Sequence, residues 1–329
     1  MDPGNSDLPP GLAGEPGAGA YPPPGYPPPP GPYGYLPPGT RQPDHLGSGR
    51  FRAQNALELI DSLFTLYREN FLLVVAVSAV LQVPLALFSI LLSTTTLSQL
   101  NDSVSGANSV QTVSQATGAV IGAGFILILI SLLIVTPLSQ AAFARVVGDI
   151  YLGRPSSVGR AYREAIHRLG HLIAAIMLTT LIIVAAALLG GIAVGIVSVA
   201  LGVVGVVLGV IALVVVMLFV YARICLAASV VVLENSGGAA AISRSAELVA
   251  GGWRRTAGVL LLTMLLTTVL GVVLGQLATI TSSLLLSQIV SHVVGIFTAP
   301  LLPMAATLIY YDRRIRREAL DIDMLATSL

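Results

Sequence analysis

Four long stretches without a charged side chain dominate the sequence after residue 69. They cover residues 70–101, 103–144, 169–222 and 256–311. The hydrocarbon core of a bilayer is about 30 Å thick and is crossed by about 20 helical residues. Only 10% of all residues are charged, against about a quarter in a soluble domain. The chain is therefore predicted to be an integral membrane protein, and the class of soluble globular proteins is excluded.

The lengths of these stretches predict six transmembrane helices. The first two stretches hold one helix each, near residues 71–92 and 119–144, joined by the polar segment 93–117. The other two are too long for one helix, so each is predicted to turn back, near residues 190–202 and 279–291. The expected fold is all-α, with six transmembrane helices forming three hairpins.

The positions of the arginines predict the orientation. All 17 basic residues are arginine, and with six spans all of them lie on or near the side that holds both termini. The opposite loops contain a single acid, Asp102. Cytoplasmic loops collect positive charge, so both termini are predicted to be cytoplasmic. An arginine-only composition is typical of high-GC bacterial genomes, which makes a bacterial inner (plasma) membrane the expected location.

The N-terminal segment, residues 1–49, has a different composition. It holds 15 of the 20 prolines together with 11 glycines and several tyrosines. Such a segment cannot bury a core and is predicted to be disordered, with transient polyproline II structure. It has no apolar stretch after Met1, which argues against a signal peptide. It is interpreted as a solubilising spacer, as a docking segment for a protein partner, or as a tyrosine–proline segment for self-association.

Each odd-numbered span follows a short segment with helical periodicity. The apolar positions are Leu57, Ile60, Phe64, Tyr67 and Phe71 before the first span, Val158, Tyr162, Ala165 and Leu169 before the third, and Ile242, Ala246, Val249 and Trp253 before the fifth. These stripes are too short to cross a bilayer, so each is predicted to form a cytoplasmic interfacial helix whose apolar face dips into lipid. Three such units form a repeat, and repeats occur both in transporters and in folds without a transport role.

Three sequence runs resemble one protein family. The first is the segment Leu66-Tyr-Arg-Glu-Asn-Phe71. The second extends from Arg223 to Trp253 and includes Val230-Val-Val-Leu-Glu234 and Ala240-Ala-Ile-Ser-Arg-Ser245. The third is the ending Tyr310-Tyr-Asp-Arg-Arg-Ile-Arg-Arg-Glu318. They resemble the bacterial glycerophosphoryl diester phosphodiesterase membrane-domain family. The resemblance covers about residues 50–325. It implies a stand-alone multi-pass membrane domain that lacks a catalytic barrel and has no assigned activity.

Arginines near membrane depth are the candidate binding residues. Arg223 is flanked by apolar sequence on both sides, and Arg145 holds a similar place near the end of the second span. A charge at such a depth is costly unless it reaches the interface or finds a partner. Candidate contacts for an anionic lipid or substrate are Arg145, Arg223, Arg244 and Arg254, and candidate ion-pair partners are Glu234, Glu247 and Asp312.

Several chemistries are not predicted. A phosphodiesterase barrel needs about 250 residues, and the cytoplasmic loops here are far shorter, so the chain is predicted not to be an enzyme. One cysteine, Cys225, permits no internal disulfide or multi-cysteine metal site. His167 and His171 share a helix face, with Glu164 one turn earlier, but no cysteine or third histidine lies nearby, so no metal and no cofactor are predicted. A net charge of +1 argues against nucleic acid binding.

Two functions are compatible with this sequence. The first is a non-enzymatic membrane scaffold or accessory protein that contacts anionic lipid and recruits partners through its Pro-rich tail. The alternative is a small transporter or lipid translocator with a cytoplasm-facing, arginine-lined cavity. Four Gly-x-x-x-Gly pairs allow close helix packing, either inside one chain or in a homo-oligomer.

Overall fold

A computed structural model describes residues 54–106, 110–280 and 283–318. The chain divides into two units, Met1–His45 and Leu46–Leu329. The predicted disordered tail, residues 1–49, lies outside the described residues, so that prediction is not tested. The second unit, where it is described, consists of helices with short connections and contains no strand.

Eleven α-helices are described in this unit. In chain order they are α1 (Ala56–Glu69), α2 (Phe71–Gly106), α3 (Val110–Ile130), α4 (Thr136–Tyr151), α5 (Val158–His167), α6 (Leu169–Ile224), α7 (Ala227–Leu233), α8 (Gly238–Val249), α9 (Trp253–Thr279), α10 (Leu284–Thr298) and α11 (Leu301–Glu318). A π-helical turn, Ser131–Val135, joins α3 to α4 just before Pro137. A proline lacks the backbone N–H that an α-helix needs, which accounts for altered hydrogen bonding there.

Five helical segments in the described part are long and apolar enough to cross a membrane. They are Phe71–Thr95, Val120–Tyr151, Leu169–Leu233, Trp253–Thr279 and Leu285–Glu318. Large apolar side chains such as Leu181, Ile196 and Leu265 are exposed along them. Exposed apolar surface on this scale is unfavourable in water. The all-helical, multi-pass class predicted from the sequence is therefore confirmed at this level.

The longest of these segments contains a reversal within α6. Gly202 has φ 60° and ψ −139°, which is not helical. Only glycine adopts a positive φ at little cost. Gly190 lies against Leu213, and a Cβ atom placed at Gly209 would be 3.1 Å from the Cγ atoms of Val194. The parts of α6 before and after Gly202 therefore lie side by side.

The segment between the first two predicted spans differs from its prediction. The sequence predicts a connecting loop over residues 93–117, but α2 continues to Gly106 and α3 begins at Val110. Hydroxyl groups within this stretch donate to carbonyl oxygens one turn earlier, Ser93 to Ile90 at 2.9 Å and Thr94 to Leu91 at 2.9 Å. This local bonding satisfies the polar side chains inside a helix, so the polar composition does not end the helix.

The three predicted amphipathic helices are present as α1, α5 and α8, but the residues that α1 buries, and the surroundings of all three apolar faces, differ from the prediction. In α1 the buried residues are Leu59, Leu63 and Leu66, whereas Leu57 is 74% exposed. The predicted stripes of α5 and α8 are partly buried within the protein, at residues such as Tyr162 and Ile242. These stripes pack on neighbouring helices, so the expectation that they dip into lipid is wrong for their buried residues.

Each amphipathic helix is also tied to a long helix by one hydroxyl group. Tyr67 donates to the carbonyl of Phe297 at 3.0 Å, and Tyr162 donates to the carbonyl of Val77 at 2.5 Å. Burial raises the pKa of both tyrosines, so both hydroxyls stay protonated. In α8 the hydroxyl of Ser245 donates to the carbonyl of Arg223 at 2.8 Å. The core of the domain lies where these helices meet α4, α7 and α11.

Candidate functional site

The end of α11 supplies the charged residues around which this core is organised. Asp312 and Arg313 are 3% and 7% exposed, unusually low values for charged residues. Buried charges must be paired or hydrogen-bonded. The first two charged residues of the run Asp312–Glu318 are therefore internal to the protein.

Asp312 joins three parts of the chain. Its Oδ1 atom accepts a hydrogen bond from Arg255 at 3.3 Å and one from the backbone N–H of Gln54 at 3.1 Å. Both Asp312 oxygens lie 3.1 Å from Nε of Arg316, whose Nη2 atom donates to the carbonyl of Gln54 at 2.9 Å. The start of α1 is thereby fixed to α9 and α11.

Two further arginines of α11 cap the C-terminal end of α8. Arg313 donates from Nε to the carbonyl of Leu248 at 3.0 Å, and Arg317 donates to the carbonyl of Glu247. The last carbonyl groups of a helix have no intrahelical partner, and basic side chains satisfy them favourably. Gly252 lies directly against the Arg313 guanidinium, so any side chain at position 252 would displace it.

A ring of alternating charges connects α7, α8 and α11. Arg244 lies 3.0 Å from Glu234 and also pairs with Glu318. Arg314 lies 2.9 Å from Glu318 and 3.8 Å from Glu234, which closes the ring. Tyr310 donates to Glu234 at 2.9 Å. We call these five residues the charge ring.

The charge ring fixes the protonation state of Arg244. Partial burial by itself lowers the pKa of Arg244, but the hydrogen bonds to Glu234 and Glu318 outweigh that cost and raise it. The guanidinium therefore stays charged. Glu247 lies 4.0 Å from Arg244 and is largely exposed, so it contributes little to the ring.

The four predicted lipid-binding arginines differ in what they contact. Arg244 belongs to the charge ring, and Arg145 lies 3.4 Å from Asp149, one turn along α4. Arg223 forms no ion pair with any described carboxylate; its Nη2 atom donates to the carbonyl of Ala246 at 3.3 Å. Arg254 is exposed, and no described residue pairs with it. Arg223 and Arg254 are therefore the two candidates whose charge is not neutralised locally.

An aromatic pair connects Arg223 of α6 with the start of α9. The guanidinium carbon of Arg223 is 5.6 Å from the ring centroid of Phe219, within the range of a cation–π contact. The Phe219 ring meets that of Trp253 edge-on at 5.1 Å. Arg254 follows Trp253 in the first turn of α9. We call these four residues the arginine–aromatic site.

The end of α6 also positions this site. The sequence allows a fourth transmembrane helix that runs on to Glu234, with Arg223 deep inside it. In the structure α6 ends at Ile224 and α7 begins at Ala227. Ser245 bridges the interruption, because its hydroxyl accepts from the N–H of Leu226 at 3.2 Å while donating to the Arg223 carbonyl. Arg223 therefore sits at a helix end, and Ser245 holds that end to α8.

Two cavities accompany these features. One of about 250 Å³ lies beside α1 and is lined by polar residues that include Asp61, Ser62 and Glu69. The other, of about 40 Å³, is lined by residues that include Gln140, Cys225 and Ser229. No arginine of the described residues lines either cavity. The described part of the chain also contains no group of three His, Cys, Asp or Glu side chains placed to hold a metal ion.

Two polar pairs connect α2 with α10 within the apolar region. The hydroxyl of Ser89 lies 2.6 Å from Nε2 of His292, and that of Ser93 donates to Gln288 at 3.0 Å. The sequence does not predict this pairing, because Ser89 and His292 are 203 positions apart. Hydrogen bonds between membrane helices stabilise their association, so these pairs have a structural explanation.

Comparison of the chain with protein-family models, curated proteins and solved structures gave no match. The resemblance to the phosphodiesterase membrane-domain family rests on the quoted sequence runs alone. The structure brings two of those runs together, since Glu234 and Arg244 meet the Tyr310–Glu318 segment in the charge ring.

Proposed function

We propose that this protein is a six-span, non-enzymatic scaffold or accessory protein of the bacterial plasma membrane, related to the phosphodiesterase membrane-domain family. In this proposal its three hairpins each follow a cytoplasmic amphipathic helix, and both termini are cytoplasmic. The reversal at Gly202 and the break between α9 and α10 support the count of six. It contacts anionic lipid at its cytoplasmic rim and recruits a protein partner through residues 1–49.

The observation that carries the proposal is that the arginines fall into two sets. Arg244, Arg255, Arg313, Arg314 and Arg316 are engaged by carboxylates or carbonyl groups of the protein. Arg68, Arg154, Arg163 and Arg254 are exposed, and their side chains form no ion pair with the described residues. Exposed arginines beside an anionic membrane surface contribute about 1 kcal/mol each to the attraction. The engaged set stabilises the fold, and the exposed set without ion pairs is available to lipid.

The same observations favour a scaffold over a translocator. A translocator of anionic substrates would present basic side chains to a cavity, and neither described cavity is lined by arginine. The buried carboxylate of Asp312 is occupied by structural contacts. The polar interior therefore serves to hold helices together.

Labelling of single cysteines tests the six-span arrangement. The two positions are tested in a Cys225→Ala background. We expect Arg163→Cys and Val203→Cys to react from opposite sides of the membrane, because in this arrangement α5 lies before the third span and the reversal at Gly202 lies after it. Position 203 is 80% exposed, so access is not limited by the protein. The background without an added cysteine is the control. Labelling of both positions from the same side would contradict the arrangement.

Co-purification tests the function. The full chain is expected to retain phosphatidylglycerol in excess over phosphatidylethanolamine, and to retain a protein partner that a chain lacking residues 1–49 loses. The truncated chain should keep its lipids, because the tail carries only one of the 17 arginines, Arg41. Lipid and protein mass spectrometry of both samples measures this. An unchanged partner list contradicts recruitment by the tail, and equal retention of the two lipids contradicts the lipid contact.

A further inference from the structure

We infer that α6 and α9 form a single binding site for one anionic glycerophospholipid, with its phosphate at the arginine–aromatic site and an acyl chain along α9. This inference rests on the proposed function and specifies where one lipid is held. It requires three features together: uncompensated positive charge, polar donors at the level of the lipid phosphate, and an apolar surface leading away from them.

The uncompensated charge comes from Arg223 and Arg254. An arginine has five N–H donors, and among the described residues only Ala246 accepts a hydrogen bond from Arg223. Phe219 and Ala246 hold the Arg223 side chain in place without neutralising it. A phosphate accepts hydrogen bonds from a guanidinium with good geometry, and such charge-assisted bonds are about twice as strong as neutral ones.

The first turn of α9 supplies further donors. Gly252 at the N-cap has no side chain and makes no capping hydrogen bond. The first N–H groups of a helix lack intrahelical partners, and they favour an anion. The indole of Trp253 is held by its contact with Phe219, and its N–H forms no hydrogen bond with the described residues. Tryptophan is typical of the headgroup level of a membrane protein.

The apolar surface begins directly below Arg254. Gly258, Leu261 and Leu265 follow Arg254 on the same face of α9, because they lie four, seven and eleven positions further on. A Cβ atom at Gly258 would meet nothing within 4 Å, so the surface at this position is open. Leu261 and Leu265 are 47% and 61% exposed. An acyl chain fits along this face, over a length of about 16 Å at 1.5 Å per residue.

Helix α6 borders the same surface from the other side. It packs against α9, and Val216 lies one turn from Phe219 on the face that carries Arg223. Val216 is 48% exposed. Both helices therefore present positive charge at one level and exposed apolar side chains below it, which matches the order of phosphate and acyl chain in a lipid. A water-soluble phosphate would use only the upper part of this surface.

Native mass spectrometry of the full chain in detergent tests the site. One phosphatidylglycerol is expected to bind more tightly than phosphatidylcholine, and R223Q/R254Q should raise its apparent dissociation constant by about tenfold or more, as expected for the loss of charge-assisted hydrogen bonds. G258L should weaken binding several-fold without altering charge. Leucine has a higher helix propensity than glycine, so G258L should remain folded.

Matched controls separate the site from general effects. R160Q removes an exposed arginine of α5 whose guanidinium is held by the carbonyl of Pro155, and G191L fills an open glycine position of α6; neither should change the affinity. Glycerol 3-phosphate should not displace the lipid, and equal competition by it would overturn the lipid assignment. Binding unaffected by R223Q/R254Q or by G258L would overturn the site while leaving lipid contact at the rim intact. Failure of the full chain to retain any phosphatidylglycerol would overturn both proposals.

Discussion

Replacing Asp312 with alanine is expected to destabilise the folded protein by about 3 to 5 kcal/mol, the range for breaking a buried ion pair. The Asp312 side chain is 3% exposed and accepts from Arg255, Arg316 and the Gln54 backbone. Its removal leaves Arg255 without its carboxylate partner, in a position that is itself largely shielded. The start of α1 also loses its attachment to α11.

Thermal unfolding in detergent, with deuterium exchange of the α1 amides, measures this effect. Asp312→Ala should lower the unfolding midpoint and accelerate exchange in α1 more than in α6, because Asp312 directly holds the start of α1. Asp61→Ala is the matched control, since Asp61 is an exposed carboxylate on α1. A midpoint as high as that of Asp61→Ala would show that Asp312 does not hold these helices together.

The sequence predicts much of this fold because the bilayer thickness sets how many consecutive apolar residues a spanning helix needs. That number can be counted directly in the sequence. Spacing between charges locates the apolar segments, and a segment such as 169–222 must either reverse or exceed the bilayer thickness. The non-helical backbone at Gly202 lies at the end of the predicted turn. The short periodic segments before the spans predict α1, α5 and α8, because helical periodicity is a local property.

Contacts around the charge ring are not predictable in the same way. Arg244 pairs with Glu234, ten positions away, and with Glu318, 74 positions away. Nothing in the spacing of the arginines distinguishes Arg244, which is neutralised, from Arg254, which is not. Tertiary packing decides between them, and it also determines that Leu63 of α1 is buried while Leu57 is exposed.

The polar stretch after residue 92 has the composition of a loop, although residues 93–106 and 110–117 are helical. Serine and threonine favour loops because their side chains compete for backbone hydrogen bonds. In α2 those side chains instead donate to carbonyls within the helix, and Ser93 additionally reaches Gln288 of α10. The partner on α10 stabilises the helical conformation, and a partner so distant in sequence leaves no local signal.

Gly238→Leu is expected to destabilise the protein by about 1 to 3 kcal/mol or more, as overpacking of a close helix contact does. A Cβ atom at Gly238 would lie 2.8 Å from the backbone nitrogen of Ala175 and 2.9 Å from the carbonyl oxygen of His171. Both are backbone atoms of α6 and cannot rotate away, so α8 must move. Such a shift would strain the Ser245 bridge to Arg223 and the place of Arg244 in the charge ring.

Gly159→Leu is the matched control for this substitution. Gly159 occupies the first turn of α5, as Gly238 does in α8, but a Cβ atom there would meet nothing within 4 Å. Leucine at position 159 should therefore leave the unfolding midpoint unchanged or raise it slightly, because it favours the helix more than glycine does. If both variants unfold at the wild-type midpoint, α8 is not held closely against α6. Ala246 of α8 would then not be held beside the Arg223 guanidinium by this close packing. The arginine–aromatic site depends on that position of Ala246.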